Sequence, residues 1–363
     1  MMRTDESHPA TKALLTWYST NKRDLPWRAN PEPYGVWLCE IIMQQTRIQQ
    51  GLGYWNRFMA QYPTVAELAE APAHEVMKCW EGLGYYSRAR NLHAAAKRVM
   101  SEWGGRFPTE VAALRTLPGV GPYTAAAVAS ISAGVPVAAV DGNVVRVVSR
   151  FFAVDEPVDR PSGRESVQRG AEALLSHQQP GDHNQAMMDL GGQTCTPQAP
   201  RCSACPLEPW CLSAHQPALL QRRPAKTAKT PVQVVHWDLH WITDGARWIL
   251  MERPAPGIWG GLWCPPVTEV PPPSPTAPPP PPAPPPPLLP AQARALPSPH
   301  PPVTHLLTHR RIHIRFPAWK IDPDGSALPA HWTWHTPAES AARPLPQPVT
   351  KAHPTLTKWL EEI

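Results

Sequence analysis

Residues 117–122 read Leu-Pro-Gly-Val-Gly-Pro and run straight into the apolar stretch Tyr123 to Ile131. Two glycines one residue apart, beside a helix start, leave backbone N–H groups pointing outward. Such a nest at a helix N-terminus holds a phosphate without reading base sequence. Gly119, Val120 and Gly121 are the candidate contacts. A turn of this kind can also be no more than a turn. Further on, residues 140–146 read Val-Asp-Gly-Asn-Val-Val-Arg, with Asp141 after an apolar run and at the head of another helix. An Asp in that place is an N-cap, and the positive end of the helix would keep it ionised.

Outward from this pair of helices the pattern stays helical. Apolar residues recur at helical spacing in Ala13-Leu14-Trp17-Tyr18, in Val36-Trp37-Ile41-Ile42 and in Leu92-Ala95-Ala96-Val99. Breaks at Asn30-Pro31, Tyr62-Pro63, Ala71-Pro72, Gly104-Gly105 and Gly134 separate the segments. Thr64-Val-Ala-Glu67 has the spacing of a capping box. Residues 10–190 are therefore expected to be all-α. The tail differs. Residues 232–243 and 247–253 alternate and are rich in β-branched and aromatic side chains, with Asp244-Gly245 as the hairpin turn. Further strands are expected over 303–321 and 331–335, and a short helix near 349–361.

Residues 271–302 contain 18 Pro and are expected to form neither helix nor sheet but an extended, polyproline-like stretch. A disordered insertion is the preferred reading there over a docking segment. The expected organisation is a helical domain over 1–216, a linker over 217–231, and an α+β domain over 232–363 carrying that insertion. A length of 363 residues suits two or three domains. The net charge of +5 permits nucleic-acid binding without demanding it. No apolar run follows a basic N-terminal stretch, so neither a signal peptide nor a membrane span is expected. A cytoplasmic (in a bacterium, nucleoid-associated) protein follows, in which seven cysteines do not suggest disulfides.

Four of those cysteines crowd together as Cys195-x6-Cys202-x2-Cys205-x5-Cys211. Four thiolates so close in sequence can surround one centre, either zinc or a [4Fe–4S] cluster. Zinc sites usually pair two C-x2-C knuckles. One knuckle and unequal spacings favour the cluster. Pro206, Pro209 and Trp210 supply rigid, bulky neighbours, and Arg201 a cation. Such a loop can present positive charge to phosphate with no redox work.

A Gly/Pro-rich hairpin between helices, then an Asp, then the 6-2-5 cysteine loop resembles the endonuclease III superfamily of helix–hairpin–helix DNA glycosylases over residues 10–216. Bifunctional lyases of that superfamily carry a Lys after the second glycine, and here Tyr123 stands there, so no amine is available for a Schiff base. Leu38-Cys-Glu-Ile-Ile-Met-Gln-Gln-Thr46 resembles the MutY family of adenine glycosylases around its catalytic Glu, which falls on Glu40. A carboxyl among Trp37, Ile41 and Ile42 has its pKa raised and can serve as an acid. Arg23-Asp-Leu-Pro-Trp-Arg28 is similar to the family's adenine-side segment, giving Arg23 and Arg28 as contacts. Gly82-Leu-Gly-Tyr-Tyr-Ser-Arg-Ala-Arg90 is similar to its intercalation loop. The resemblance implies that Gln45 and Tyr85 wedge into the duplex, with Arg88 beside them. Asn184-Gln-Ala-Met-Met-Asp-Leu-Gly191 matches too, with Gln185 as a contact to adenine.

In the tail, Arg253-Pro-Ala-Pro-Gly-Ile-Trp-Gly-Gly-Leu-Trp263 resembles the start of the family's Nudix-like domain. Leu307-Thr308-His309 stands where the family reads 8-oxoguanine, usually through Phe-Ser-His. Thr308 keeps the hydroxyl, and the aromatic wedge is lost. The Glu-rich Nudix box is absent, its place taken by 271–302, so no magnesium site and no nucleotide hydrolysis are expected. The resemblance as a whole implies a monomeric enzyme acting on double-stranded DNA with 8-oxoguanine:adenine or guanine:adenine mispairs. Glu40 would be the acid, Asp141 the stabiliser of the oxocarbenium ion, and Tyr123 and Asn143 would orient the pair. The rival readings are a thymine or uracil mismatch glycosylase, a glycosylase–lyase, and a non-catalytic DNA-binding protein with a structural metal.

Overall fold

The structure, a computed structural model, describes residues 8–227, 232–254, 256–271, 293–307, 309–321, 328–329 and 331–362. The chain divides into two compact units. One holds Met1–Ala71 with Asn91–Ala228, the other Pro72–Arg90 with Lys229–Ile363.

The first unit is helical, as its periodicity requires. Its main core gathers Ala10, Leu14 and Tyr18 from the helix Pro9–Asn21 and Val144, Val147, Val148 and Phe151 from Gly142–Phe151. It adds Val167, Ala171 and Leu174 from Pro161–Leu174 and Ala186, Met187 and Leu190 from Pro180–Gln193. In each helix these residues stand one, three or four apart, so each buries one stripe. The helix Pro122–Ala133 is different. Thr124 to Ser130 are all buried, and its run of alanines lets neighbouring helices approach on every side. It stops at Gly134, whose φ of 68° favours glycine. At Thr64 both bonds of the capping box are made.

Among its described residues the second unit contains the helix Ala73–Cys79 and ten strands. These are β1 (Gln233–Leu239), β2 (Trp241–Thr243), β3 (Trp248–Glu252), β4 (Trp263–Cys264), β5 (Val267–Val270), β6 (Arg294–Leu296), β7 (Val303–Leu306), β8 (Arg310–Arg315), β9 (Ala318–Lys320) and β10 (Trp332–His335). One sheet has the order β5-β1-β8-β7, the other β10-β3-β2-β9-β6 with β4 paired to β3. The pairs β1·β8 and β2·β9 are parallel, and the rest are antiparallel. Val235, Trp237, Ile312 and Ile314 of the first sheet meet Val349, Ala352, Leu356 and Leu360 of the helix Gln347–Glu362 in one core.

Two findings differ from the sequence reading. Within 271–302, Arg294–Leu296 does form a strand, paired antiparallel with β9. Ala293 to Leu296 contains no Pro, so every N–H is free for the ladder, and β6 lies at a sheet edge, where short Pro-bounded strands are tolerated. Residues 272–292 lie outside the described residues. In the stretch expected as linker, Pro217–Arg222 is a short helix, and Arg223 after it is buried. Among the described residues no helix is long and apolar enough to cross a membrane.

Candidate active site

The helix Pro33–Ile42 buries Val36, Trp37, Leu38, Cys39, Ile41 and Ile42 and leaves one acidic side chain, Glu40, facing a cavity of about 650 Å³. That volume suits a small organic ligand (about 300–1,000 Å³). Burial pushes the Glu40 carboxyl up to about 7, and the nearby charge of Asp141 acts in the same direction. A hydrogen bond with Tyr123 and the cation of Arg28 work against the shift. Tyr123 is set by Pro122 at the first turn of its helix, and its hydroxyl also donates to Met188 Sδ at 3.5 Å.

Asp141 caps the next helix as its sequence suggests. Its Oδ1 accepts from the Val144 amide at 2.7 Å and its Oδ2 from Asn143 Nδ2 at 2.8 Å. Burial raises its pKa, and these hydrogen bonds oppose the rise. Asn143 Oδ1 in turn accepts from Arg146 NH2 at 2.9 Å, and Arg146 donates to the Gly191 and Cys195 carbonyls at 2.6 and 2.7 Å.

The cavity brings together Glu40, Tyr123, Asp141 and Asn143 with Arg23, Arg28, Gln45 and Gln185. The sequence reading missed what fixes the two arginines. Asp189, fully buried, accepts from the backbone and side chain of Arg23 and from both terminal nitrogens of Arg28, at 2.7 and 2.9 Å for the latter. The arginines hold its carboxyl below the usual range although burial acts the other way. Asp189 stands inside the segment 184–191, so its place was visible, but nothing in one dimension pairs it with Arg23.

The hairpin has Gly119 at φ 77°, and a Cβ there would lie 2.9 Å from Asn91 Cβ, so both conformation and space demand glycine. The Val120 amide is already bonded to the Leu117 carbonyl at 3.1 Å, which removes it from the outward-pointing donors. The four cysteines 195, 202, 205 and 211 line a second cavity with Arg150, Phe151 and Leu190. Arg150, buried in the helix Gly142–Phe151, donates to Cys195 Sγ at 3.4 Å and to the carbonyls of Thr196 and Pro197 at 2.7 and 3.0 Å. Among the described residues no three His, Cys, Asp or Glu side chains are placed to hold a single metal ion.

Tyr85, Arg88 and His309 belong to the second unit, and Thr308 lies outside the described residues. Tyr85 has φ 47° and is 45% exposed, directly after Gly82-Leu83-Gly84, whose two glycines also have positive φ. Arg88 is buried, donates to the Leu83 and Gly84 carbonyls, and lies over the rings of Trp80 and Tyr85. Arg88 thus builds the loop from inside.

Residues 38–172 match the family model of the HhH-GPD superfamily of base excision DNA repair proteins, and residues 239–354 match the NUDIX domain. The chain is 43% identical to the adenine DNA glycosylase of Homo sapiens over 208 residues, 55% of this chain and 38% of the human protein. It is 30% identical to the adenine DNA glycosylase of Buchnera aphidicola subsp. Acyrthosiphon pisum over 258 residues, 70% of this chain and 73% of that protein. The chain spans well under two thirds of the mammalian relatives it matches, 38% of the human and 41% of the rat protein. Among solved structures, a thermostable thymine-DNA glycosylase superposes with a TM-score of 0.51 at 30% identity, covering 56% of this chain and 94% of that one.

Proposed function

The chain belongs to the adenine DNA glycosylase family, and from that premise we propose that it hydrolyses the N-glycosidic bond of adenine mispaired with 8-oxoguanine or guanine in duplex DNA. The observation that carries the proposal is the cavity in which Glu40, with its pKa raised to about 7, shares space with Asp141 at a helix N-terminus. An extrahelical base enters that cavity, because inside the stack its glycosidic bond is out of reach. Glu40 in its acid form protonates the leaving adenine at N7 and turns it into a neutral leaving group. Positive charge then develops on the sugar. Asp141, kept charged by the Val144 amide and Asn143, stabilises it. Water adds to the sugar, with Glu40, now deprotonated, as the base. Tyr123 and Asn143 orient the two carboxyl groups. The product is free adenine and an intact strand with an abasic site.

Arg23 and Arg28, fixed by Asp189, edge the base pocket, and Gln185 contacts the base. Gln45 and Tyr85 fill the gap in the stack. Gly119, Gly121 and the cysteine loop hold phosphates, which gives affinity that falls with salt but no choice of sequence. Thr308 and His309 read the base opposite. Cys195, Cys202, Cys205 and Cys211 would hold a [4Fe–4S] cluster. The donor set fits, since four thiols line one cavity together with the apolar Val147, Phe151, Leu190, Leu207 and Leu220 and the cations Arg150 and Arg201. Held by these four cysteines, a cluster would fix the loop 195–211 that we propose to face DNA. The protein acts as a monomer.

Single-turnover release of adenine from an 8-oxoguanine:adenine duplex tests the proposal, with guanine:adenine and 8-oxoguanine:cytosine duplexes alongside. Release from the first and none from the last is expected. No release from any of them, by protein carrying the visible absorbance of a cluster, overturns it.

A further inference from the structure

The segment Pro72–Arg90, though early in sequence, belongs to the same compact unit as the C-terminal residues, and polar contacts tie both ends of its loop there. Before the loop, Glu81 Oε1 accepts from the Leu345 amide at 3.3 Å and from Thr350 Oγ1 at 3.4 Å. Its other oxygen binds Lys78 Nζ at 2.5 Å, and that ammonium also donates to the Ala341 carbonyl at 2.6 Å. After the loop, Tyr86 OH donates to the Leu345 carbonyl at 3.3 Å, and Arg90 NH1 donates to the Gly260 carbonyl.

The anchors are themselves fixed. Gly260 lies in a turn closed by bonds from Gly260 N to Gly257 O and from Leu262 N to Trp259 O, at 3.2 and 2.9 Å, with Trp259 packed edge-on to Trp237. Thr350 is in the first turn of the helix Gln347–Glu362, which is buried on the sheet. Between the two ties, Gly82, Gly84 and Tyr85 all have positive φ. For a residue with a Cβ such as Tyr85 this conformation is disfavoured and lasts only where the surroundings over-determine it.

We infer that Glu81 and Arg90 are positioning residues through which the C-terminal part of the chain sets the loop carrying Tyr85. That part would then act at two places, on the opposite base and on the wedge. The consequence for DNA rests on the proposed function; the brace itself does not.

Two measurements separate them. The first is hydrogen exchange at the amides of Leu83 to Tyr86 in DNA-free protein, comparing wild type with the Glu81→Ala/Arg90→Ala double variant. Exchange is expected to rise about tenfold or more, since each tie removed is a hydrogen bond to a charged side chain. Arg90→Lys, which keeps a donor, should recover part of the protection. Unchanged exchange in a double variant that retains the wild-type Tm overturns the brace. A collapsed Tm is resolved by Thr350→Val, which removes one donor to Glu81 and should still raise exchange in this loop alone; no local rise overturns the brace. The second is binding to an 8-oxoguanine:adenine duplex with 2-aminopurine beside the lesion. The double variant should weaken Kd about tenfold and lose the fluorescence rise of unstacking, with the single-turnover rate at saturating enzyme unchanged. Tyr85→Ala should add little to that loss. Fully additive losses would show that Glu81 and Arg90 act elsewhere than through Tyr85, and would overturn the inference. Should wild type bind this duplex without releasing adenine, the proposed function falls while both readouts still judge the brace.

Discussion

Glu40 is one acidic residue in a helix whose other inner positions are apolar, and its chemistry follows from that setting. Glu40→Gln should lower the single-turnover rate about a thousandfold, in the range of a lost general acid, with mismatch binding near wild type; a lost Kd instead would make Glu40 structural. The pH dependence has a definite sign. With its pKa raised to about 7, Glu40 is mostly the acid below that value, so the rate of bond cleavage should fall as pH rises through about 7. A flat profile across that range would remove Glu40 as the proton donor. The same shift bears on stability. Unfolding releases the carboxyl to its ordinary, lower pKa, so the stabilising effect of its protonation is complete below that ordinary value and is lost as pH rises through about 7. Glu40→Gln should therefore raise Tm more at pH 8 than at pH 5, which thermal melts at the two pH values would check. Asp141→Asn keeps the cap geometry in outline but removes the charge, and the single-turnover rate should drop on the order of a hundredfold or more.

At the scale of elements, the hairpin and the Arg150 helix carry the clearest tests. Gly119→Ala places a Cβ against Asn91 in a backbone region that disfavours it. A loss of about 1–3 kcal/mol is expected in denaturant titration, together with weaker binding to undamaged duplex. Unchanged stability would show that the hairpin and the helix bearing Asn91 can shift apart. Arg150 holds Cys195 and the turn after it from within the core. Arg150→Met should keep the helix, since its apolar stripe is intact, but loosen the cysteine loop. The visible absorbance of the cluster should then bleach faster under chelator than in wild type; equal rates would confine Arg150 to packing. These two elements were unequally legible. Gly119 announced the hairpin because its positive φ favours glycine. Nothing local marks Arg150, because the carbonyls that satisfy it come from residues 196, 197 and 220, far along the chain.

At the scale of the whole molecule, truncation after residue 226 would appear harmless to chemistry if the tail were only a reader of the opposite base. The second unit includes Pro72–Arg90, however, so the truncated chain should lose both preference for 8-oxoguanine over guanine and about tenfold in duplex affinity. Single-turnover rates and Kd values on the two mispairs decide it, and full retention of affinity would speak against the brace. The sequence by itself determined the helical half, the β-rich tail, the capped Asp141, the glycine turn and the four-cysteine loop. Each is a local matter: periodicity, capping chemistry and φ preference act between residues a few positions apart. Tertiary structure alone decided that Asp189 clamps Arg23 and Arg28, that Arg150 is buried behind the cysteines, that Arg294–Leu296 finds a strand partner, and that the Tyr85 loop belongs with the C-terminal residues. Those facts depend on which distant groups meet, and a buried charge or an unpaired strand reveals its partner only once the chain has closed around it.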